Sequence, residues 1–397
     1  DGIKSVNETS GSEAGDKVIR EAAHRIQTLV SASDTVARVA SNEFSVLLPD
    51  LDDVAQAHHL ASQILKFIGQ PFEAGGKSFL ITASMGLASH PAHSSKFHEL
   101  TQFSESAMHE AKLRGGNQLV DFRPELIEFA RDRLEIEIAL REAVKSFEGL
   151  ELFYQPKLDL RTGRVSGAEA LIRWNHKTLG FIGPDRFIPL AEQTELIIPL
   201  GKWIFERACL DLKKLLDEGV DIPSLSINLS AVQFQDDRLI STLSEIIEST
   251  GVDPELIDVE LTESSVMGDP DRGIEVLNGL KSIGMSISID DFGVAYSSLS
   301  YLSKLPADRL KIDRSFIIDI AEKPEDQAIT NSIIEMGHNL NLTVLAEGGE
   351  TQEQIDMLCR LGCDELQGFW FSRPLPFEKF KPFIQSHRPL SICPSEL

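Results

Sequence analysis

The chain has 397 residues, enough for two or three domains at roughly 150 residues each, and 42% of them are hydrophobic, ample for large cores. Its 38 Lys+Arg stand against 62 Asp+Glu, a net charge of −24. Such an excess of anions excludes a general binder of duplex nucleic acid or anionic lipid, and any phosphorylated ligand would need local arginines, lysines or bound metals.

In chain order, the hydrophobic periodicity first predicts a mixed α/β region. Helices are expected at Asp16–Val30, Asp53–Ile68 and Phe103–Arg114, and strands at Thr35–Ala40, Phe44–Leu48 and Phe79–Leu87. Ala40-Ser41-Asn42-Glu43 would turn the hairpin between the first two strands. From Arg123 to Ser146 the apolar residues recur at helical spacing with alternating charges opposite, and Pro124 suits a first turn. This stretch reads as a connector helix. The expected division is therefore 1–122, a connector at 123–148, and 149–397.

After the connector, short apolar runs alternate with helical stretches. The runs are Leu152–Tyr154, Val165–Ile172, Leu225–Ile227, Ile257–Leu261, Ser286–Ile289, Arg309–Ile312, Thr343–Leu345 and Glu365–Leu366. Eight strands with helices between them predict a TIM-like (β/α)8 barrel, and the remaining ~250 residues suit its usual size.

The four cysteines, Cys209, Cys359, Cys363 and Cys393, form no CxxC pair. A zinc site is not expected, and buried thiols in a reducing cytoplasm are the plainer reading. No run of about 18 apolar residues occurs, so no membrane contact is expected within these residues. The first residue is Asp1 and no signal peptide follows, which points to a cytoplasmic piece of a longer chain whose upstream part could carry an anchor.

A barrel places its site at the carboxyl ends of its strands. Those ends carry Glu169 and Arg173, Asn228, Glu260 and Glu263, Asp290 and Asp291, Lys311 and Asp313, and Glu347. Each alone has an ordinary structural reading as a cap, turn or solvated charge. Together, carboxylates converging on one rim repel one another unless a cation lies between them. Oxygen ligands without Cys or His suit Mg²⁺ or Mn²⁺, and two such ions are a recurring device for attack of water on phosphate.

The motifs YQPKLDL from Tyr154, EALIRW from Glu169, INLS from Ile227, ELTES from Glu260, DDFGVAYSSL from Asp290, LKIDRSF from Leu310, AEGGET from Ala346 and LQGFWFSRP from Leu366 resemble, in order, those of the EAL family of bacterial cyclic di-GMP phosphodiesterases. The resemblance implies cleavage of cyclic di-GMP to pGpG with two divalent cations, Mg²⁺ or Mn²⁺. By motif, Glu169, Asn228, Glu260 and Asp290 would ligate the first metal, and Asp290 would bridge to a second beside Asp291. Lys311 and Glu347 would position the attacking water. Gln155, Arg173, Glu350 and Gln367 would contact substrate, and Glu263 would anchor the loop after Asp291. The family also implies a homodimer formed around strand five and that loop. Three departures stand out: Val294-Ala295 where the family has Thr-Gly, Gly349 where it prefers valine, and Glu195 where it usually has glycine.

The stretch from DGIKSVNETSGSEAGD at Asp1 to AKLRGGNQLV at Ala111 resembles the GGDEF family of diguanylate cyclases, with its N-terminal end incomplete. Its signature position reads Ala40-Ser41-Asn42-Glu43-Phe44, without the glycines that admit a triphosphate and with Asn42 in place of an acidic metal ligand. Ser31-Ala32-Ser33-Asp34 lacks the arginine of the product-inhibition site. Cyclase activity is therefore not expected. Asn7 and Asp16 match the guanine-contacting pair, which leaves open a regulatory GTP site or a purely structural module. For the whole chain the rival to an enzyme is a silent cyclic di-GMP receptor that relays occupancy to a partner.

Overall fold

The computed structural model describes residues 1–49, 51, 53–267, 270–294 and 299–393. The chain divides into two compact units, Asp1–Glu135 and Ile136–Leu397. The division falls inside the helix Glu125–Ser146, which carries i,i+4 pairs between Arg131 and Glu135 and between Arg141 and Glu137.

The first unit is α/β. Thr35–Ala40 and Glu43–Leu47 form the expected antiparallel hairpin, with Ala40 opposite Glu43 across Ser41-Asn42. Its main cluster gathers Val6, Val18, Ile26, Ile64, Ile68 and Phe72 from the helices and the following strand. Arg25 is buried there, donating to the carbonyls of Phe67, Gln70 and Pro71 with its guanidinium 3.7 Å from the Phe72 ring centre. The single strand expected over Phe79–Leu87 is corrected. Lys77–Phe79 pairs with Phe72–Ala74, whereas Met85–Leu87 pairs with Leu119–Asp121, so the chain changes sheet between them.

The second unit is a closed eight-stranded barrel. Its strands are Leu150–Asp159, Val165–His176, Leu225–Asn228, Ile257–Thr262, Ser286–Phe292, Arg309–Ile312, Thr343–Glu347 and Glu365–Gln367. Strands two to eight run parallel, but strand one is antiparallel to both of its neighbours. That corrects the uniform β/α alternation. The first two strands are joined by a tight turn, in which Thr162 N–H donates to Asp159 Oδ1 at 2.7 Å, and no helix intervenes to return the chain. Along strand four, Ile257, Val259 and Leu261 join the apolar cluster, while Asp258 and Glu260 alternate with them and meet polar groups of other strands. The helix Ile197–Asp217 buries Leu200, Ile204, Ala208 and Leu212 in that cluster.

The expectation of four free thiols is also corrected. Cys359 and Cys393 form a disulfide, and Cys209 and Cys363 are free and buried. The C-terminal segment returns to the barrel, where Leu390 N–H donates to Gly163 O at 3.0 Å. The bond joins two cysteines 34 residues apart, a pairing that spacing alone does not reveal. No helix among the described residues is long and apolar enough to cross a membrane.

Candidate active site

Strand register puts the acidic residues on one level. Gln155 lies opposite Glu169, Asn228 opposite Glu260, and Glu347 opposite Gln367. Glu169 Oε1 accepts from Asn228 Nδ2 and its Oε2 from Gln367 Nε2, each at 2.5 Å. Gln367 Nε2 also donates to Gln155 Oε1 at 3.2 Å, and Gln155 Nε2 donates to Ser372 O at 3.1 Å.

Lys311 sits among the carboxylates with no exposure to solvent. Its Nζ lies 2.6 Å from Glu260 Oε2, 2.6 Å from Glu347 Oε1, 3.1 Å from Asp290 Oδ1 and 4.0 Å from Glu169 Oε2. Asp291 has a left-handed backbone (φ 52°), and its N–H donates to Asp290 Oδ1 at 2.9 Å. One oxygen each from Asp290, Asp291 and Glu347 lie within 4.8 Å of one another. The rim thus joins Gln155, Glu169, Asn228, Glu260, Asp290, Asp291, Lys311, Glu347 and Gln367.

Glu263 is buried, and its Oε2 accepts from Gly293 N–H at 3.1 Å, linking the end of strand four to the loop after strand five. Val294 in that loop is exposed, and Ala295 lies outside the described residues. Two expected site residues take other partners. Arg173 donates to Ile172 O and stands 5.6 Å from the Phe153 ring centre, and Glu350 pairs with Arg314 at 2.9 Å. At Gly349 a Cβ would come within 2.6 Å of Leu366 Cδ1 and 2.9 Å of Ile355 Cδ1, so these two side chains occupy the space that a valine there would need.

A second polar layer lies beneath the rim and was not anticipated. Lys157, fully buried, donates to Glu260 Oε1 and to Ser226 Oγ, each at 2.5 Å. Lys157 is thus a second lysine, beside Lys311, that meets the acidic rim. Ser226 donates to Asp258 at 2.5 Å, Ser288 donates to Asp258 at 2.8 Å, and Arg309 bridges Asp258 and Glu365 at 2.8 Å each. The signal was there in the spacing. Ser226, Asp258, Ser288, Arg309 and Glu365 each precede a rim residue by two positions, and Lys157 follows Gln155 by two because strand one runs the other way.

Burial and charge set the protonation of these groups. Burial pushes the Glu347 carboxyl up to about 8 against the pull of Lys311. It also raises Glu169, Asp290 and Asp291. Burial would raise Glu260 too, but Lys157 and Lys311, one on each oxygen, hold it well below the usual carboxylate range. Lys311 loses hydration on burial, yet Asp290, Glu169, Glu260 and Glu347 hold its pKa well above the ordinary value. Through both layers, seven carboxylates (Glu169, Asp258, Glu260, Asp290, Asp291, Glu347, Glu365) face three cations (Lys157, Arg309, Lys311).

Residues 137–374 match the profile described as "EAL domain", and residues 1–118 match "Diguanylate cyclase, GGDEF domain". The chain belongs to the EAL domain family. MucR of Pseudomonas aeruginosa, named a bifunctional diguanylate cyclase/cyclic di-GMP phosphodiesterase, is 40% identical over 96% of this chain and 55% of its own length. The cyclic di-GMP phosphodiesterase NbdA of the same organism is 38% identical over 98% of this chain and 49% of its own length. The chain thus spans about half the length of these curated relatives. Among solved structures, the PaMucR phosphodiesterase in complex with c-di-GMP aligns with a TM-score of 0.60 at 42% identity, covering 62% of this chain and 99% of that one. The EAL domain of Mycobacterium smegmatis DcpA aligns at 0.52 with 33% identity, over 60% of this chain and 97% of its own. The tandem arrangement of a GGDEF and an EAL domain is established by these matches.

Proposed function

We propose that this chain hydrolyses cyclic di-GMP to linear pGpG, adding water across one of the two 3′-phosphodiester bonds. The observation that carries the reading is the excess of four carboxylates over cations at a rim that runs from the buried Glu169 and Glu260 through the half-buried Asp290 and Glu347 to the exposed Asp291, which matches the charge of two divalent ions. The donors fit Mg²⁺ or Mn²⁺, since they are all oxygen. The buried Gln367 Oε1, which has no hydrogen-bond partner, also fits a site completed by a ligand. Glu169, Asn228, Glu260 and Asp290 would hold one ion, and Asp290 with Asp291 the other. Bound there, the ions would polarise the phosphate and offset its charge.

The chain's own residues do the rest. Lys311 and Glu347, 2.6 Å apart, would orient the attacking water and move its proton. Gln155, Arg173, Glu350 and Gln367 would hold the dinucleotide, Arg173 through its planar fork. Glu263 would hold the loop after strand five and so tie a homodimer to the metal site. The domains are taken as 1–122, the connector at 123–148 and 149–397.

The first domain would regulate without synthesising. At its Ser41-Asn42 turn Asn42 supplies an amide in place of an acidic ligand, leaving Glu43 as the flanking carboxylate, and the turn backbone is held by Arg38 donating to Ala40 O and Ser41 O. The Asn7 side chain lies against Gly15, next to Asp16, where it could read a guanine of GTP.

Chromatography of cyclic di-GMP incubated with the chain and Mg²⁺ or Mn²⁺ tests this directly. pGpG is the expected product, and Glu169→Gln should lose it by orders of magnitude with an unchanged melting curve. Binding of cyclic di-GMP without any pGpG would favour the silent receptor instead. Formation of cyclic di-GMP from GTP would overturn the reading of the first domain.

A further inference from the structure

The layer below the rim places a second lysine on a metal-site carboxylate. Lys157 is fully buried and sits on strand one opposite Gly167 of strand two. Its Nζ meets Glu260 Oε1 at 2.5 Å and Ser226 Oγ at 2.5 Å, with Asp258 Oδ2 at 3.7 Å. The other oxygen of Glu260 belongs to Lys311 at 2.6 Å. Glu260 is therefore pinned at both oxygens, and one oxygen is held from a residue that touches neither Asp290 nor Glu347.

That division of labour matters for Lys311, which is shared among Glu260, Asp290 and Glu347. Without Lys157, the buried Glu260 would have a single cation to satisfy two oxygens, and it would draw Lys311 downward. The water-orienting pair of Lys311 and Glu347 would then open. We propose that Lys157 is a positioning residue: from the lower layer it holds Glu260 Oε1, which fixes the Glu260 carboxylate for metal binding and leaves Lys311 to Asp290 and Glu347. This rests on the phosphodiesterase reading of the rim.

A purely electrostatic or purely structural role predicts different results. Lys157 is a buried cation near a cation site, so a charge effect alone means that its removal tightens metal binding. If it only balances the buried charge of Asp258, then removing both charges should restore everything.

The test uses the full chain with Lys157→Met, which keeps the stem's bulk, and Lys157→Met/Asp258→Asn, which keeps the charge balance. Melting in EDTA reads stability, Mn²⁺ titration followed by electron paramagnetic resonance reads the site without turnover, and pGpG formation reads kcat and KM. For positioning, Lys157→Met binds Mn²⁺ about 10-fold or more weakly, as seen when partners of metal ligands are removed. Its kcat falls by roughly the same factor or more while KM changes little. The double variant regains melting temperature but not kcat or Mn²⁺ affinity. Tighter or unchanged Mn²⁺ binding in Lys157→Met overturns the proposal, and so does a double variant that recovers kcat together with stability. A wild type that makes no pGpG would sink the phosphodiesterase reading alone, because the Mn²⁺ and melting measurements still report on Lys157.

Discussion

Replacing Lys311 by methionine tests the centre of the site. The side-chain volume is nearly kept, so packing changes little, but Glu260, Glu347 and Asp290 all lose a partner within 3.1 Å. The carboxylate excess rises from four to five. Removing one member of a buried ion pair typically costs about 3–5 kcal/mol. At roughly 2–4 °C per kcal/mol for a domain of this size, the metal-free barrel should melt some 6–20 °C lower. Mn²⁺ should recover more melting temperature in the variant than in the wild type, since a divalent ion binding only the folded state supplies the missing charge. Turnover should fall by about 10²–10⁴-fold, the usual range for losing a positioned charged or proton-handling group. That loss should lie in kcat, because Gln155, Arg173 and Gln367 keep their own contacts. The assays are differential scanning calorimetry in EDTA and in Mn²⁺, and chromatographic pGpG formation over a range of substrate concentrations. An unchanged melting temperature in EDTA would show that Lys311 is not the counter-ion of the cluster. A full kcat with raised KM would show that it holds substrate instead of orienting water.

Part of the rim was legible in the sequence because strand ends are found from the last apolar residue of each run. Asn228, Asp290 and Glu347 lie just past their runs, whereas Glu169, Glu260 and Lys311 lie inside theirs and stood out through the EALIRW, ELTES and LKIDRSF motifs; the ladder brings them within bonding distance. The layer beneath was hidden for a physical reason. Ser226, Asp258, Ser288 and Arg309 fall inside the apolar runs, where a polar residue reads as an interruption of the pattern rather than as part of a site. In a barrel the strand's inner face is as buried as its outer face, so period-two alternation becomes polar lumen against apolar shell, not water against core. The orientation of strand one was hidden because short and long connections look alike until turn chemistry is weighed. Thr162-Gly163 between Asp159 and Arg164 was the available cue, with Gly163 at φ 64°. The Cys359–Cys393 bond depends on a tail that packs across the sequence, and no local pattern encodes it.

Further expectations follow from single features. Reducing the Cys359–Cys393 disulfide frees a loop 34 residues long and should lower barrel stability by up to about 4 kcal/mol on the chain-entropy account; equal melting with and without reductant would show that the tail is held by its other contacts. In EDTA, the melting temperature should fall as pH rises from about 6 to about 8. Glu347 is raised by burial to about 8 in the fold from an ordinary value of 4.5, so the folded state holds a proton that the unfolded state releases, and that advantage is full below 4.5 and gone above 8. Mn²⁺, which requires the carboxylate form, should flatten this slope, and a metal-free melting temperature that stays level or climbs over that range would contradict the burial of the group. The last expectation concerns Glu195, which occupies the turn between the helices Pro184–Gln193 and Ile197–Asp217 with φ 58°. A left-handed backbone costs a residue with a Cβ about 1–2 kcal/mol, and glycine escapes this at about 0.5–1 kcal/mol of extra unfolded-state entropy. The Glu195 side chain is exposed, and the turn is held by main-chain bonds, Glu195 N–H to Glu192 O and Ile198 N–H to Glu195 O, which glycine keeps. Glu195→Gly should therefore stabilise the barrel by about 0.5–1 kcal/mol in a urea melt with the slope unchanged. A loss of stability would mean that the glutamate side chain makes a contact worth more than the strain it imposes.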